Sequence, residues 1–332
     1  MVYRINRDPI IDNDRVLRVD RMRVGSHSQL SSSHMQGTTS GYNSSGLDPV
    51  VTVDTIEKFS LSSDANASDV GDLTQVRQQL CGQSSSSNGY TSGGYVTPTF
   101  TAGNVIDKFP FSSDDNATDV GDLLSAMYRL GGHSSTSHGY TSGGIPPYSV
   151  DTIQKFAFAS DGNAIDVGDL TEPKSQHTAC SSTTHGYSAG GTTGFQATMV
   201  IEKFPFSSDN NATSVGNLIN GWSNQNSGIS SDISGYLSGV GQDIYTISSD
   251  VFKFSFTVDG DTTSSVGDLS QSRQGGGGQN STVSGYVSGG VAPPPPSNRS
   301  NVIDKFPFSS DGNAADVGDL TESKMYTAGQ QV

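Results

Sequence analysis

A Lys-Phe pair opens a strand-like run six times, at Lys58, Lys108, Lys155, Lys203, Lys253 and Lys305, with intervals of 50, 47, 48, 50 and 52 residues. A period of this length admits few folds, because a single short unit cannot bury its own apolar face and must stack on neighbours. Two further signals keep the same beat. A Val-Gly-Asp/Asn-Leu element follows each pair, from Val70 in the first copy to Val317 in the sixth, and a Gly-Tyr pair falls at Gly41, Gly89, Gly139, Gly186, Gly235 and Gly285.

Each unit reads as strands and turns. In the second copy Val105 to Phe111 alternates as a strand, Ser112 to Thr118 carries turn residues, Val120 opens another short strand, and Gly139 to Gly144 ends at a glycine pair. Pro110, Pro205 and Pro307 fall inside the Lys-Phe strand, which predicts an edge position or a bulge. The chain opens with a Gly-Tyr that has no Lys-Phe before it and closes with a Lys-Phe that has no Gly-Tyr after it. The expectation is therefore an all-β, six-bladed β-propeller over residues 25–332, closed by pairing N- and C-terminal half-blades. Its last blade is shared between about 25–46 and 301–332.

Composition decides whether such a chain packs at all. Gly, Pro and Ser make up 107 of 332 residues, which without a period would read as disordered low complexity. A net charge of −15 is mild for this length, and 26 Phe and Tyr supply the bulk of a core. No apolar run is long enough to span a membrane, and the N-terminus is too polar for a signal peptide, so a soluble chain made in the cytoplasm is expected. Cys81 and Cys180 lack metal-ligand spacing and read as reduced filler.

The glycine pair and its spacing, as in Gly-Tyr-Thr-Ser-Gly-Gly at Gly139 to Gly144, make the repeat similar to the kelch units of the galactose-oxidase central domain. The resemblance implies the propeller architecture. It departs where kelch units carry Trp, and the copper site of the oxidase members maps onto no residue of this chain.

Features present in every copy read as scaffold. The six lysines are expected to lie along blade surfaces, paired with an aspartate of the Val-Gly-Asp element, and the adjoining phenylalanines to pack between blades. The Asp-x-Asn series, Asp114, Asn116, Asp119 and Asp122 in the second copy, reads as turn capping, with a weak calcium loop as the alternative; no other cofactor is indicated. The six histidines, His27, His34, His133, His138, His177 and His185, read as surface rim positions. GxSxG, HExxH and phosphate-loop motifs are absent, so an enzyme is not expected.

Residues 1–24 stand outside the repeat. Residues 1–23 hold six arginines against four aspartates, a net +2, whereas the remainder carries 12 basic and 29 acidic residues, a net −17. An acidic ring excludes nucleic acid as its partner. The arm, with Ile5, Asn6, Ile10, Ile11, Asp12, Arg15, Leu17 and Val19, is similar to a segment recurrent in bacteriophage tail-fibre and other virion appendage proteins. The propeller units also resemble Gly/Ser-rich repeats of marine phage virion proteins.

That resemblance implies a non-enzymatic virion structural protein of tail-fibre, head-fibre or capsid-decoration type. Arg4, Arg7, Asp12, Arg15, Leu17, Arg18, Arg21 and Arg23 would anchor it to other virion proteins, as a homotrimer or as a monomer on a sixfold opening. The ring would face a host-surface receptor or glycan, with Trp222, Tyr245, Pro293 and Pro296 as contact candidates. The alternative is a carbohydrate-binding propeller not fixed to a particle.

Overall fold

The computed structural model describes residues 36–194, 196–219, 227–239, 247–293 and 298–332, all within the compact unit Ser33–Val332. Among these residues there is no helix. Five four-stranded sheets and one five-stranded sheet, antiparallel apart from one two-residue pairing, give an all-β, propeller-like architecture. The second sheet is typical. From inside outward its strands are Cys81–Ser84, Asn88–Ser92, Val105–Pro110 and Thr118–Asp122. The Gly-Tyr, Lys-Phe and Val-Gly-Asp signals are thus its second, third and outer strands.

The innermost strand carries no hydrophobic alternation and was not legible. Cys81–Ser84, Gly131–Ser134, Thr178–Ser181, Ser227–Ser230, Gly277–Asn280 and Ala328–Gln331 are small and polar because they touch one another in succession, and the last of them touches the first. Gly82, Gly132, Gly228, Gly278 and Gly329 form one column there, with Ala179 completing it. A Cβ on any of the five glycines would fall under 3.0 Å from a neighbouring backbone carbonyl. Sequence placed the shared unit differently. The sheet holding the first Gly-Tyr takes a single strand from the C-terminal end, Ala328–Gln331, while Val302–Pro307 pairs with Ser284–Ser288 in the preceding sheet.

Neighbouring sheets are latched by repeated aromatic pairs. Each Gly-Tyr tyrosine lies against the Lys-Phe phenylalanine of the next sheet, from Tyr42 on Phe109 at 5.5 Å round to Tyr286 on Phe59 at 5.9 Å. In five of the six a second phenylalanine stacks as well, as Phe111 does on Tyr42 at 4.9 Å; in the sixth Leu61 stands there and accepts the Tyr286 hydroxyl at 2.9 Å. The glycine before each tyrosine lies under the phenylalanine of its own sheet, so that a Cβ on Gly89 would collide with the Phe109 ring.

The lysines do pair with aspartates, but not with those of Val-Gly-Asp. Lys58, Lys108, Lys155, Lys203, Lys253 and Lys305 reach Asp114, Asp161, Asp209, Asp259, Asp311 and Asp64, each in the turn of the next repeat, at 2.6–3.4 Å. The Lys-Phe strand is also interior rather than an edge, and its pairing with the outer strand carries a bulge, with Asp119 and Gly121 opposite Asp107 and Ile106. Phe111 N donates to Ser87 O on the second-strand side, so Pro110 one residue earlier turns its nitrogen toward the outer strand. That strand pairs no further than Thr118 with Lys108, and the absent donor is not missed.

Beneath the surface pairs lies a second set of ions that sequence reading missed. Arg77 meets Asp107 at 2.7 Å, Arg273 meets Asp304 at 2.8 Å, Lys324 meets Glu57 at 2.5 Å, and Lys174 meets Glu202; all eight side chains are buried. Where the second repeat has Met127 in place of the cation, the third has Gln154 in place of the acid, with Gln154 Nε2 donating to Met127 Sδ at 3.4 Å. Where the fifth has Phe252 in place of the acid, the residue at the cation's spacing is Trp222, outside the described residues. Charges enter and leave this interior in pairs, as the cost of an unpaired buried ion requires.

Candidate binding face

The strand register gives each sheet two distinct ends. In the second sheet Ser84 pairs with Gly89 and Asn88 with Pro110, so the connections 85–87 and 111–117 lie at one end; Cys81 pairs with Ser92 and Asp122 with Val105, so 93–104 and 123–130 lie at the other. Connections at the first end keep their lengths. The inner hairpin turn has three residues wherever it occurs, and the next turn has seven, or eight once. At the opposite end, the second-to-third-strand connections vary from four residues after Leu47 to thirteen after Ser288.

The first described residues pair at the constant end. Gln36 Nε2 donates to Ser230 O at 3.4 Å and Gly37 N to Asn280 O at 2.8 Å, and both acceptors close an inner strand. Serine hydroxyls organise this end, since Ser84, Ser134 and Ser181 each direct their backbone N–H to the serine Oγ of the next inner strand at 3.0–3.1 Å. Seven exposed large apolar side chains stand at the variable end: Val50, Val51, Phe100, Leu124, Tyr148, Met199 and Ile219. Four, Ile165, Ile233, Val258 and Val283, stand at the constant end.

A depression of about 120 Å³ opens between the inner strands at the variable end. Its rim is one column of the repeat, Gln79, Arg129, Gln176, Gly275 and Tyr326, joined head to tail by backbone bonds: Arg129 N to Gln79 O and Gln176 N to Arg129 O at 2.9 Å, Gln79 N to Tyr326 O at 3.0 Å, and Tyr326 N to Gly275 O at 2.6 Å. All five have left-handed backbone, with φ from 57° to 71°. For the four that are not glycine this costs about 1 kcal/mol each.

Two histidines expected at the surface are buried beside this depression. His133 is 1% exposed and His177 4%. His133 Nδ1 faces Cys180 O at 3.1 Å and so carries the proton, which leaves His133 Nε2 to accept from Ser142 Oγ at 2.9 Å. Ser142 Oγ in turn accepts from His177 Nε2 at 3.0 Å. Burial holds His133 down to about 4 and His177 well below the usual imidazole range. A serine beside a histidine acceptor has the bonding of an activated nucleophile, but Ser142 is wholly buried and no substrate can meet it. His138 and His185 do lie at partly exposed positions, each bonded to the preceding hydroxyl at 2.8 Å.

Of the calcium candidates, Asp114 pairs with Lys58, Asn116 Oδ1 accepts Asp72 N at 3.0 Å and Asp119 Oδ1 accepts Gly121 N at 3.2 Å, while Asp122 gives its backbone N–H to Asn163 Oδ1 at 3.0 Å. Among the described residues no three His, Cys, Asp or Glu side chains stand together as a metal site. Both cysteines are buried free thiols, raised to about 12 by desolvation. Pro293 is exposed at the variable end, in a connection closed by Ala292 N to Asn298 O at 2.8 Å. Arg4, Arg7, Asp12, Arg15, Leu17, Arg18, Arg21, Arg23, Trp222, Tyr245 and Pro296 lie outside the described residues. No protein-family model matches the chain, and no curated protein shows significant similarity to it.

Proposed function

We propose that the six sheets are blades of one closed, kelch-like propeller, and that the chain is a non-enzymatic bacteriophage virion appendage. Residues 1–24 hold it to the particle, and the ring presents its variable end to the host surface. Closure is supported by the contacts that return to the first sheet, Tyr286 on Phe59, Lys305 to Asp64 and Ala328–Gln331 against Cys81–Ser84. The appendage reading rests on the arm's resemblance to virion segments.

One observation carries the polarity. Gln36 and Gly37 join the inner strands at the end whose turns do not vary, and connections of four to thirteen residues occupy the opposite end. Constant turns at one end and length variation at the other is the arrangement of a display scaffold, since loops diverge where they recognise rather than where they hold.

Mass spectrometry of purified particles, followed by cryo-electron microscopy with an antibody against the ring, tests this. The expected result is a fixed site on the particle with the 93–104 and 143–149 connections facing outward. Absence from intact particles refutes the appendage reading.

A further inference from the structure

Among the described residues four buried cations reach acids of the next sheet, and they fall into two kinds. Arg77 and Arg273 meet aspartates, and the residue two before each arginine is a glutamine, Gln75 or Gln271. Lys174 and Lys324 meet glutamates, and the residue two before each lysine is a second glutamate, Glu172 or Glu322. A second carboxyl close to a buried one costs like-charge repulsion. Here it accompanies only the amines, and of the two cations only an amine can shed its proton and become a nucleophile.

The lysine sites do not have the bonding of an ordinary ion pair. Lys174 and Glu202 are fully buried and in contact, yet Lys174 Nζ and Glu202 Oε1 have no hydrogen-bond partner. Glu57 Oε2, 2.5 Å from Lys324 Nζ, has none either. The other oxygen of each carboxyl is held by a backbone N–H, Glu202 Oε2 by Thr171 at 2.6 Å and Glu57 Oε1 by Thr321 at 2.5 Å. Each carboxyl is thus fixed while an amine lies against it, and groups held in contact this way need no encounter in order to react. Glu172 Oε1 lies 3.8 Å from Lys174 Nζ and accepts Thr198 Oγ1. Glu322 Oε2 is buried without a partner, and burial holds Glu322 above the usual carboxylate range, toward the protonated form that a proton carrier uses.

We propose that Lys174 with Glu202, and Lys324 with Glu57, condense to side-chain amides. The neutral Lys174 Nζ attacks Glu202 Cδ, so that a C–N bond forms and a C–O bond breaks. The ammonium gives up two protons in all, carried by Glu172 to the departing carboxylate oxygen, which leaves as water; no oxidant or further reactant enters. Lys324, Glu57 and Glu322 repeat the step. Two buried ions become one neutral amide, which removes the desolvation cost of both. One bond joins the third sheet to the fourth, and the other joins the C-terminal part of the chain to the first sheet. Arg77 and Arg273 stay ionic, since a guanidinium keeps its proton.

Mass spectrometry of the denatured full chain tests this. The intact mass should fall two waters below that of the sequence. Digestion should release two branched peptides, one joining Lys174 to Glu202 and one joining Lys324 to Glu57, with neither lysine cut by trypsin; these peptides distinguish the bonds from dehydration elsewhere in the chain. Glu172→Gln, which copies Gln75 and Gln271, should leave its ion pair unreacted and restore one water of mass, with the circular dichroism of the native chain. Glu322→Gln should do the same for the second bond. The full sequence mass with linear peptides overturns the proposal, and one missing branched peptide overturns that bond. Branched peptides undiminished in E172Q and E322Q overturn the part given to the second carboxyl.

Discussion

The interior ion pairs make a strong quantitative prediction. Arg77 is fully buried, and its guanidinium donates to Asp107 at 2.7 Å, to Val105 O and Thr91 Oγ1 at 2.9 Å, and to Gly93 O at 2.5 Å. Arg77→Met removes the partner of a carboxylate that is itself unexposed, leaving Asp107 with Thr74 Oγ1 at 2.6 Å and Thr74 N at 3.2 Å. Stranding a buried charge in this way costs about 3–5 kcal/mol, or on the order of 10 °C in melting temperature. Asp107→Gln alone strands the cation and should cost a similar amount. The double variant recreates the Met127–Gln154 pair already used between the second and third repeats, where Gln154 Oε1 accepts Leu124 N at 2.8 Å just as Asp107 accepts Thr74 N. It should therefore lie within about 1–2 kcal/mol of the native chain, with a coupling energy of about 3 kcal/mol or more. Urea unfolding of the four proteins, followed by circular dichroism with slopes compared, measures the cycle. A double variant no better than the sum of the singles would refute the view that these columns are exchangeable pairs.

Acid should weaken the fold through its buried imidazoles. His133 titrates near 4 when folded but near 6.5 when unfolded, so below about pH 6.5 the unfolded chain takes up a proton that the folded chain refuses; stability falls until about pH 4, by about 3 kcal/mol. His133→Gln, which places the residue found at Gln83, Gln279 and Gln330 in the same column, should flatten that slope in melting curves taken across pH 4 to 7. Gly89→Ala puts a methyl into the Phe109 ring and should cost about 1–3 kcal/mol as overpacking, read as a lower urea midpoint. Cys81 and Cys180, buried and raised to about 12, should ignore a thiol reagent in the native protein and react only as it unfolds; immediate reaction at neutral pH would contradict the packing.

Much of the sheet order was legible because the residues that carried it do their work locally. Phe109 must cover Gly89, and Tyr42 must meet Phe109, so the Lys-Phe and Gly-Tyr signals recur at the spacing of adjacent strands. The inner strand was invisible for the opposite reason. Gly82 and its equivalents are chosen for what they lack, since the neighbouring carbonyl occupies the space of a side chain, and an absent side chain has no periodicity. The lysine's partner differs from the expectation because Asp72 is near Lys58 in sequence while Asp114 is 56 residues away, and only the stacking of sheets brings Asp114 to the lysine. His133 and His177 were placed at the rim because polar residues usually lie there; their burial depends on Cys180 O and Ser142 from other strands.

The division between what holds and what varies runs along the chain as well as through space. Latching residues, Tyr42, Phe109, Lys58 and Asp114 with their equivalents, recur through the repeats and face the next sheet. Rim residues occupy a column just as regular in backbone, with φ near 60°, but its side chains differ at almost every step: Gln79, Arg129, Gln176, Gly275, Tyr326. Gly275 meets the backbone demand of the column without a side chain, whereas Arg129 uses its side chain to reach the neighbouring rim residue, Nε donating to Gln79 Oε1 at 3.3 Å. The variation therefore belongs with the variable connections of the same end, and the constancy with the end where Gln36 and Gly37 join the inner strands.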